Sequence, residues 1–440
     1  MPNKLLIYSL NFAPELTGIG KYNGEMAEWL ARQGYEVRVI SAPPYYPAWK
    51  VAEGYSSYAY RKENWKGIEV YRCPVWVPGR VTGLKRLFHL ASFALSSLPV
   101  LFRQMWWKPD VCVVIEPPLA ISPFAVLLTR LFGVKAWLHV QDFEVDAAFE
   151  LGILPDKPKL KKAVLGMEKR LMKRFSVVSS ISEPMVAKLR AKGVSEERIR
   201  LFPNWVDTSQ VFPLPARNSS FREPFGLRPD DFVALYSGNM GEKQGLELVL
   251  DAAELLKPFD AIRFVLCGEG SAKARLMREA EARGLDNVLF LPLQPVEKLN
   301  ELLNMADLHL LVQKSHASDL VMPSKLTGML ASGRPIVATA AENSAVHRVM
   351  NESRSGVVVP PEEPVPLADA VLKLFWAGND CATFGRNGRQ FAVEHLGMDS
   401  ILGRFMQSVQ MLKGPKGKRE LRTQELEAVP GGLPDSRPRD

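Results

Sequence analysis

Twice in this chain a short apolar run passes into a glycine-bearing loop and then into a helical pattern, and no other feature restricts the fold as much. Residues 4–10 form a β-type run, 11–20 a loop holding Gly18 and Gly20, 22–33 a helical pattern stopped by Gly34, and 36–40 a second strand. Strand, helix and strand in that order make a βαβ unit, whose right-handed crossover implies a parallel sheet covered on both faces. Further strands are expected at 68–72, 111–115, 136–140, 177–181 and 199–202. The opening then recurs: strand 232–237, loop 238–245 and helix 246–256, followed by strands at 263–267, 288–290, 308–312, 336–339 and 357–359. The two halves share no residue-level repeat. A joint containing Pro213 and Pro215 separates them.

The expected fold class is therefore α/β, with two Rossmann-like doubly wound domains facing a cleft. Residues 1–205 make the first domain, with 398–413 returning to it, and 206–397 make the second. The tail 414–440, with Pro415, Pro430, Gly431, Gly432, Pro434 and Pro438, reads as disordered. Ligands of such sheets bind beyond the carboxyl ends of the strands, so the loops after the opening strands should carry the chemistry.

Composition narrows the function classes. Hydrophobic residues are 47% and charged residues 24% of the 440, which excludes a wholly disordered or fibrous chain, and a mean hydropathy of −0.06 speaks against many membrane spans. The net charge of +8 favours anionic partners. The basic residues are spread without a recognition motif, so nucleic acid is not among those partners. Cys73, Cys112, Cys267 and Cys381 form no CxxC and mostly sit in apolar runs, so buried free thiols are expected. The first residues are too short an apolar stretch for a signal peptide, which suggests a cytoplasmic chain.

Gly18 and Gly20 precede a helix, where backbone amides and the helix dipole attract an anion. They do not make a dinucleotide fingerprint, because G-x-G-x-x-G needs glycine where Asn23 stands and no acid follows the second strand. Lys243 lies in the second-domain loop as a candidate phosphate cation. Ser324, read as an N-cap, and Lys325 open a helix stopped by Gly333 and Pro335, a second anion site with Asp319 just upstream to accept from a sugar hydroxyl. His139, at the end of a strand, points to the cleft, and Glu116 at the end of another is placed to meet an acceptor hydroxyl. Asp142, Glu144 and Asp146 alternate as ligands of a hard cation do, but capping and ion pairing explain them as well, so no metal site is assigned. The 84–108 segment, from Leu84 to Lys108, is apolar with cations and Trp106 and Trp107 at its end. It reads equally as a membrane-interface segment or as a buried domain helix.

Up to about Gly414 the chain resembles the retaining glycosyltransferases of family 4, which have the GT-B fold, and in particular the colanic-acid and exopolysaccharide enzymes commonly described as fucosyltransferases. The likeness lies in residues 11–22, 139–143 (His139 to Phe143), 203–207, 238–243, Gly268-Glu269-Gly270 and 331–335 (Ala331 to Pro335). It implies that Gly18, Gly20 and Lys243 bind the donor diphosphate, that His139 lies near the transferred sugar, and that Glu269 lies near the nucleoside. His139 and Asp142 are the catalytic candidates, and Asn239 and Asp319 join Glu269 as nucleoside- or sugar-binding candidates. Two departures stand out. Asn239 replaces the arginine usual after the loop glycine, and the family's paired glutamates would fall on Leu320 and Gly328. Phosphate binding then rests on Lys243, Lys325 and helix amides.

The resemblance implies a retaining, metal-independent transfer of a sugar, fucose first among the candidates, from a GDP- or UDP-linked nucleotide-sugar donor to a lipid-linked glycan acceptor, with no cofactor. The chain would work in the cytoplasm, peripheral on the inner membrane face. Two rivals remain: a nucleotide-sugar epimerase on the same fold, and a non-catalytic assembly protein at the membrane.

Overall fold

A computed structural model describes residues 3–15, 18–79, 83–150, 154–155, 157–214, 219–314, 323–342 and 344–413. The chain divides into two compact units. The first comprises Met1–Ser180, Leu189–Phe202 and the chain from Leu402, and the second Ile181–Lys188 and Pro203–Ile401.

The first unit is built on an eight-stranded sheet. Its strands are β1 (Lys4–Tyr8), β2 (Glu36–Ser41), β3 (Arg61–Trp65), β4 (Ile68–Arg72), β5 (Val111–Glu116), β6 (Lys135–Val140), β7 (Val177–Ser180) and β8 (Ile199–Leu201), in the order β3-β4-β2-β1-β5-β6-β7-β8. Every pairing is parallel except β3 with β4. All six residues of β5 are buried, the continuous apolar run that helices on both faces require. β3 escaped the sequence because Arg61-Lys62-Glu63-Asn64-Trp65 has no apolar alternation. It is an edge strand, held by backbone pairing to β4.

Two expectations shift here. The helix expected from residue 22 runs Gly18–Arg32, so Gly18 and Gly20 lie in its first turn rather than in a loop. Residues 84–108 contain one helix, Gly83–Met105, that continues through Pro99. It buries Leu90, Phe93, Ala94, Ser97, Leu101 and Met105 and exposes Leu84, Phe88, Leu95 and Phe102, with Trp106 just past its end. Domain helix and apolar surface are thus two faces of one element. Where the helix Met398–Leu412 belongs to the first unit, Phe405 stacks on Phe202 with centroids 4.9 Å apart and packs on Trp137 at 4.8 Å.

The second unit has six parallel strands, β9 (Phe232–Ser237), β10 (Ile262–Cys267), β11 (Val288–Leu291), β12 (Leu308–Leu311), β13 (Ile336–Thr339) and β14 (Gly356–Val359), ordered β11-β10-β9-β12-β13-β14. Residues of β9 alternate between two cores: Ala234 and Tyr236 join one with Leu248 and Leu367, Val233 and Leu235 the other with Val265 and Met305. The four cysteines are free and buried. The tail 414–440 lies outside the described residues.

In each sheet the strand order reverses beside the opening strand, between β1 and β5 and between β9 and β12. Crevices form at such switch points, so the loops after these strands are where ligands are expected.

Candidate functional site

In the first unit, the carboxyl edge is crowded with ionisable groups, several of them buried. His139 on β6 is 2% exposed. Its Nδ1 lies 2.9 Å from Ser179 Oγ, which also receives Trp137 Nε1–H at 2.7 Å, and its Nε2 is 3.1 Å from the Gln141 amide. Burial pulls its pKa down to about 3, so the ring is a neutral hydrogen-bonding group and not a proton donor at neutral pH. Ser179 and Gln141, which fix the ring, carried no signal in the sequence.

Glu116, the last residue of β5, is fully buried, and neither carboxylate oxygen has a hydrogen-bond partner among the described residues. Burial, reinforced by the carboxylates of Glu168 and Glu144, raises its pKa well above the usual range. The expectation that it meets an acceptor hydroxyl is corrected: its side chain is enclosed in the domain. The three alternating acids go separate ways. Asp142 is exposed, in a depression it shares with Arg86 and Glu144. Glu144 accepts Leu119 N–H at 2.8 Å, and Asp146 pairs with Lys192 at 2.7 Å. Among the described residues no group of three or more His, Cys, Asp or Glu is arranged to hold a metal ion.

Gly18 is exposed, with φ +60°, at the start of its helix. Gly20 is buried for a different reason: a Cβ there would come within 2.4 Å of Glu15 Oε2. Glu15 in turn accepts from the Tyr45 and Tyr46 amides at 3.1 and 3.0 Å and from Asn11 Nδ2 at 3.0 Å, so it ties the β1 loop to the β2 loop. The sequence reading missed Glu15.

In the second unit the corresponding edge is built from glycines and lysines. The loops after β9 and β10 run against each other, with Gly238 N–H donating to Cys267 O at 2.9 Å and Met240 N–H to Glu269 O at 2.8 Å. A Cβ on Gly268 would lie 1.9 Å from the Gly238 carbonyl oxygen, and φ there is +149°, so both sterics and backbone demand glycine. Lys325 lies beside this crossing. Its ammonium sits over the Tyr236 ring, 4.2 Å from the centroid, and donates to Tyr236 Oη at 2.8 Å. Its Nζ would be 3.7 Å from a Cβ on Gly238. Burial lowers its pKa to about 8. Tyr236 Oη donates onward to the Asn239 carbonyl at 2.6 Å, while the Asn239 side chain faces solvent.

Lys243 falls in the turn Glu242–Gln244, and its side chain lies outside the described residues. After β12, Lys314 packs its stem against Gly245 and lines a cavity of about 230 Å³ with the carboxylates Glu247, Asp251 and Glu362. This third cation was also missed. Ser324 is not the N-cap of its helix but the first helical residue of Ser324–Ala331, preceded by Pro323 at the cap. Glu269 is exposed and pairs with Lys273 at 2.7 Å. Asp319 and Leu320 lie outside the described residues. At Gly328 a Cβ would meet Leu303 Cδ1 at an ordinary 3.5 Å, so no steric demand put glycine in place of the family's acid.

Comparison with known proteins follows the same division. Residues 17–205 match the family described as a glycosyl transferase 4-like domain, and residues 218–391 the family described as glycosyl transferases group 1. The putative colanic acid biosynthesis glycosyl transferase WcaI of Escherichia coli K12 is 41% identical over 413 residues, 92% of this chain and 99% of that protein. A glycosyltransferase structure from Rickettsia africae superposes with a TM-score of 0.72 at 12% identity, covering 94% of this chain and 99% of that one. HepE of Anabaena, solved with UDP-glucose, gives 0.66 at 16% identity, with 93% and 99% covered. Both solved structures share the two-domain GT-B fold with this chain.

Proposed function

The chain belongs to the family of glycosyltransferases that join a glycosyl transferase 4-like domain to a group 1 domain, and from that premise we propose that it transfers a sugar from a nucleotide-sugar donor to a lipid-linked intermediate of a colanic-acid-like exopolysaccharide. Fucose is the leading candidate sugar and transfer is with retention, both carried by the resemblance described above. The donor type agrees with HepE, whose structure contains UDP-glucose.

The observation that carries this reading is the Lys325 ammonium, held on the Tyr236 ring at the rim of the Gly238 loop. When the bond from the anomeric carbon to the diphosphate breaks, both electrons leave with the phosphate oxygen. A fixed cation and backbone amides aimed at that oxygen stabilise the departing charge without reorganising, and no metal ion is needed for this step. Lys243 and the first turn of Ser324–Ala331 belong to the same anion site in this proposal. His139, neutral, enclosed and with both ring nitrogens engaged by Ser179 and Gln141, holds this edge in place rather than supplying a proton.

The second part of the proposal is peripheral attachment to the inner membrane face. Leu84, Phe88, Leu95, Phe102 and Trp106 are spaced four, seven, seven and four residues apart, the period of one helical face, and are 47–68% exposed. Phe102 and Trp106 extend the face to Phe132, with centroids 5.8 and 5.7 Å away. Lys85, Arg103 and Lys108 flank it, a pattern suited to the headgroup layer. No helix among the described residues is long and apolar enough to cross a membrane.

Calorimetric titration of GDP and UDP into the full chain tests the donor site. Binding of one nucleoside diphosphate that is weakened in both Lys325→Ala and Lys243→Ala is the expected result, and equal binding by both variants and the parent chain would refute it.

A further inference from the structure

Between β2 and β4 the chain is unusually aromatic: Tyr45, Tyr46, Trp49, Tyr55, Tyr58 and Tyr60 fall within sixteen residues of a protein that is 9% aromatic. The segments after β2 and after β4 and the helix Gly83–Met105 enclose a groove of about 590 Å³. That volume lies in the range of small-ligand sites, about 300–1,000 Å³. Trp49, Tyr58 and Trp76 line it, with Lys50, Ser57 and Ser92 as polar neighbours and no carboxylate among the described residues.

The backbone around the groove is strapped down. His89, fully buried on the helix, approaches the Trp76 carbonyl with Nδ1 at 2.6 Å and Tyr45 Oη with Nε2 at 3.0 Å. The rings of Tyr45, Trp49 and His89 pack against one another with centroids 4.8–5.5 Å apart. Trp76 N–H donates to Ser92 Oγ at 2.9 Å, Val75 N–H to Ser57 O at 3.0 Å, and Tyr60 Oη to the Ser96 carbonyl at 2.8 Å. Trp49 has φ +52°, a left-handed backbone that a bulky residue adopts only when its surroundings impose it. Despite this bracing, Trp76 stays 45% exposed and Tyr58 89% exposed. A scaffold this fixed around large bare rings is costly if nothing covers them, because exposed aromatic faces forgo burial and stacking.

We propose that this groove is a sugar-binding subsite that takes a neutral or anionic pyranose of the acceptor glycan. The C–H-bearing face of a pyranose carries partial positive charge and is attracted to the electron-rich faces of Trp76 and Tyr58. Ser57 hydroxyl and Lys50 ammonium supply the polar contacts at the ring edge, and the lysine with no facing acid excludes cationic amino sugars. The groove shares its wall helix with the apolar stripe of Leu84, Phe88 and Leu95, so one element serves both the lipid and the glycan of a single acceptor. The assignment rests on the acceptor reading above and does not involve the donor site.

The test is saturation-transfer NMR on the full chain with methyl pyranosides of glucose, galactose, fucose and glucuronate. Transfer to ring C–H protons is expected for at least one neutral sugar or the glucuronate. It should fall about three- to tenfold in Trp76→Ala and Tyr58→Ala, the loss of one stacking contact, and recover in Trp76→Phe. Nucleoside diphosphate affinity should be unchanged in all three variants. Both substituted side chains are exposed and outside the packed Tyr45–Trp49–His89 cluster, and a thermal melt confirms their folding. No transfer from any of the four sugars, or transfer equal in Trp76→Ala and the parent chain, overturns the subsite. So does a loss of binding to anionic phospholipid vesicles in Trp76→Ala with sugar transfer intact. Failure of GDP and UDP to bind while sugar transfer stands would instead refute the donor reading and leave the groove.

Discussion

The two sheets carry different side chains on equivalent edges. Beyond β1, β5 and β6 several titratable groups are buried and shifted toward their neutral forms. His139 is depressed to about 3, and Glu116, Glu15 and Glu144 are all raised by burial. Beyond β9 and β12 the edge holds glycines whose amides and carbonyls lie close together, with the side chains of Lys325 and Lys314 beside them. One topology thus places buried ionisable groups and exposed aromatic rings in the first unit, and close-packed glycines with a buried lysine in the second. The difference suits a sugar acceptor in one and a diphosphate in the other, because phosphate needs fixed positive charge while a sugar needs stacking faces and neutral hydrogen bonds.

The largest effect should come from the glycine crossing. Gly268→Val puts a branched side chain where even a Cβ would be 1.9 Å from a carbonyl oxygen. It should destabilise the second unit by about 4 kcal/mol or more, read by urea denaturation, and abolish nucleoside diphosphate binding. A small effect would mean that the cationic edge is not built on this crossing.

Next is Lys325 itself. Lys325→Ala should weaken nucleoside diphosphate binding by about 1.5–3 kcal/mol, the worth of a charged hydrogen bond. Its pKa near 8 gives the sign of the pH effect: the ammonium is charged below 8 and neutral above, so the parent chain's affinity should fall as pH rises from 7 to 9. Lys325→Arg, which keeps its charge, should remove that fall. A flat profile in the parent chain would erase the proposed role.

Glu116 sharpens the contrast from the other side. Its folded pKa is raised, so between the unfolded value and the folded one the folded state holds a proton the unfolded state has lost, and stability drops as pH rises. Glu116→Gln, already neutral, should flatten that slope and be as stable as the parent chain or more so at pH 8, by thermal melting. A steeper loss in the glutamine variant would show an ionised, partnered Glu116.

The smallest effect concerns His139. With its pKa near 3 in place of the usual 6.5, the folded state resists protonation that the unfolded state accepts, so its contribution to stability is present above 6.5 and lost toward pH 3. Turnover should show no limb between pH 6 and 7.5 arising from this ring. A limb that vanishes in His139→Gln would overturn its neutral role.

The strand runs, the two openings and the cluster of motifs were legible because they are local: apolar runs such as 111–115, glycines beside strands, and a helix stopped by Gly333 and Pro335. β3 was not legible, since Arg61 to Trp65 have no apolar alternation to mark them and are held by pairing to β4 and by contacts such as Glu63 with Arg72 and Trp65 with Phe12. Nor was Glu116's enclosure, because a carboxylate at a strand end looks the same in sequence whether loops cover it or not. Ser324 missed its cap position by one residue, the ordinary uncertainty of helix ends.

The sequence by itself determined the two doubly wound sheets, the family and the residue types of the donor loops, because periodicity, glycine placement and short motifs depend on neighbours along the chain. Tertiary structure alone decided which ionisable groups stay neutral, which lysine rests on Tyr236, and which aromatic rings line one groove. Those outcomes depend on burial and on contacts such as Lys325 with Tyr236, 89 positions apart. Desolvation and packing are set by what folds over a side chain, and its sequence neighbours carry no record of that.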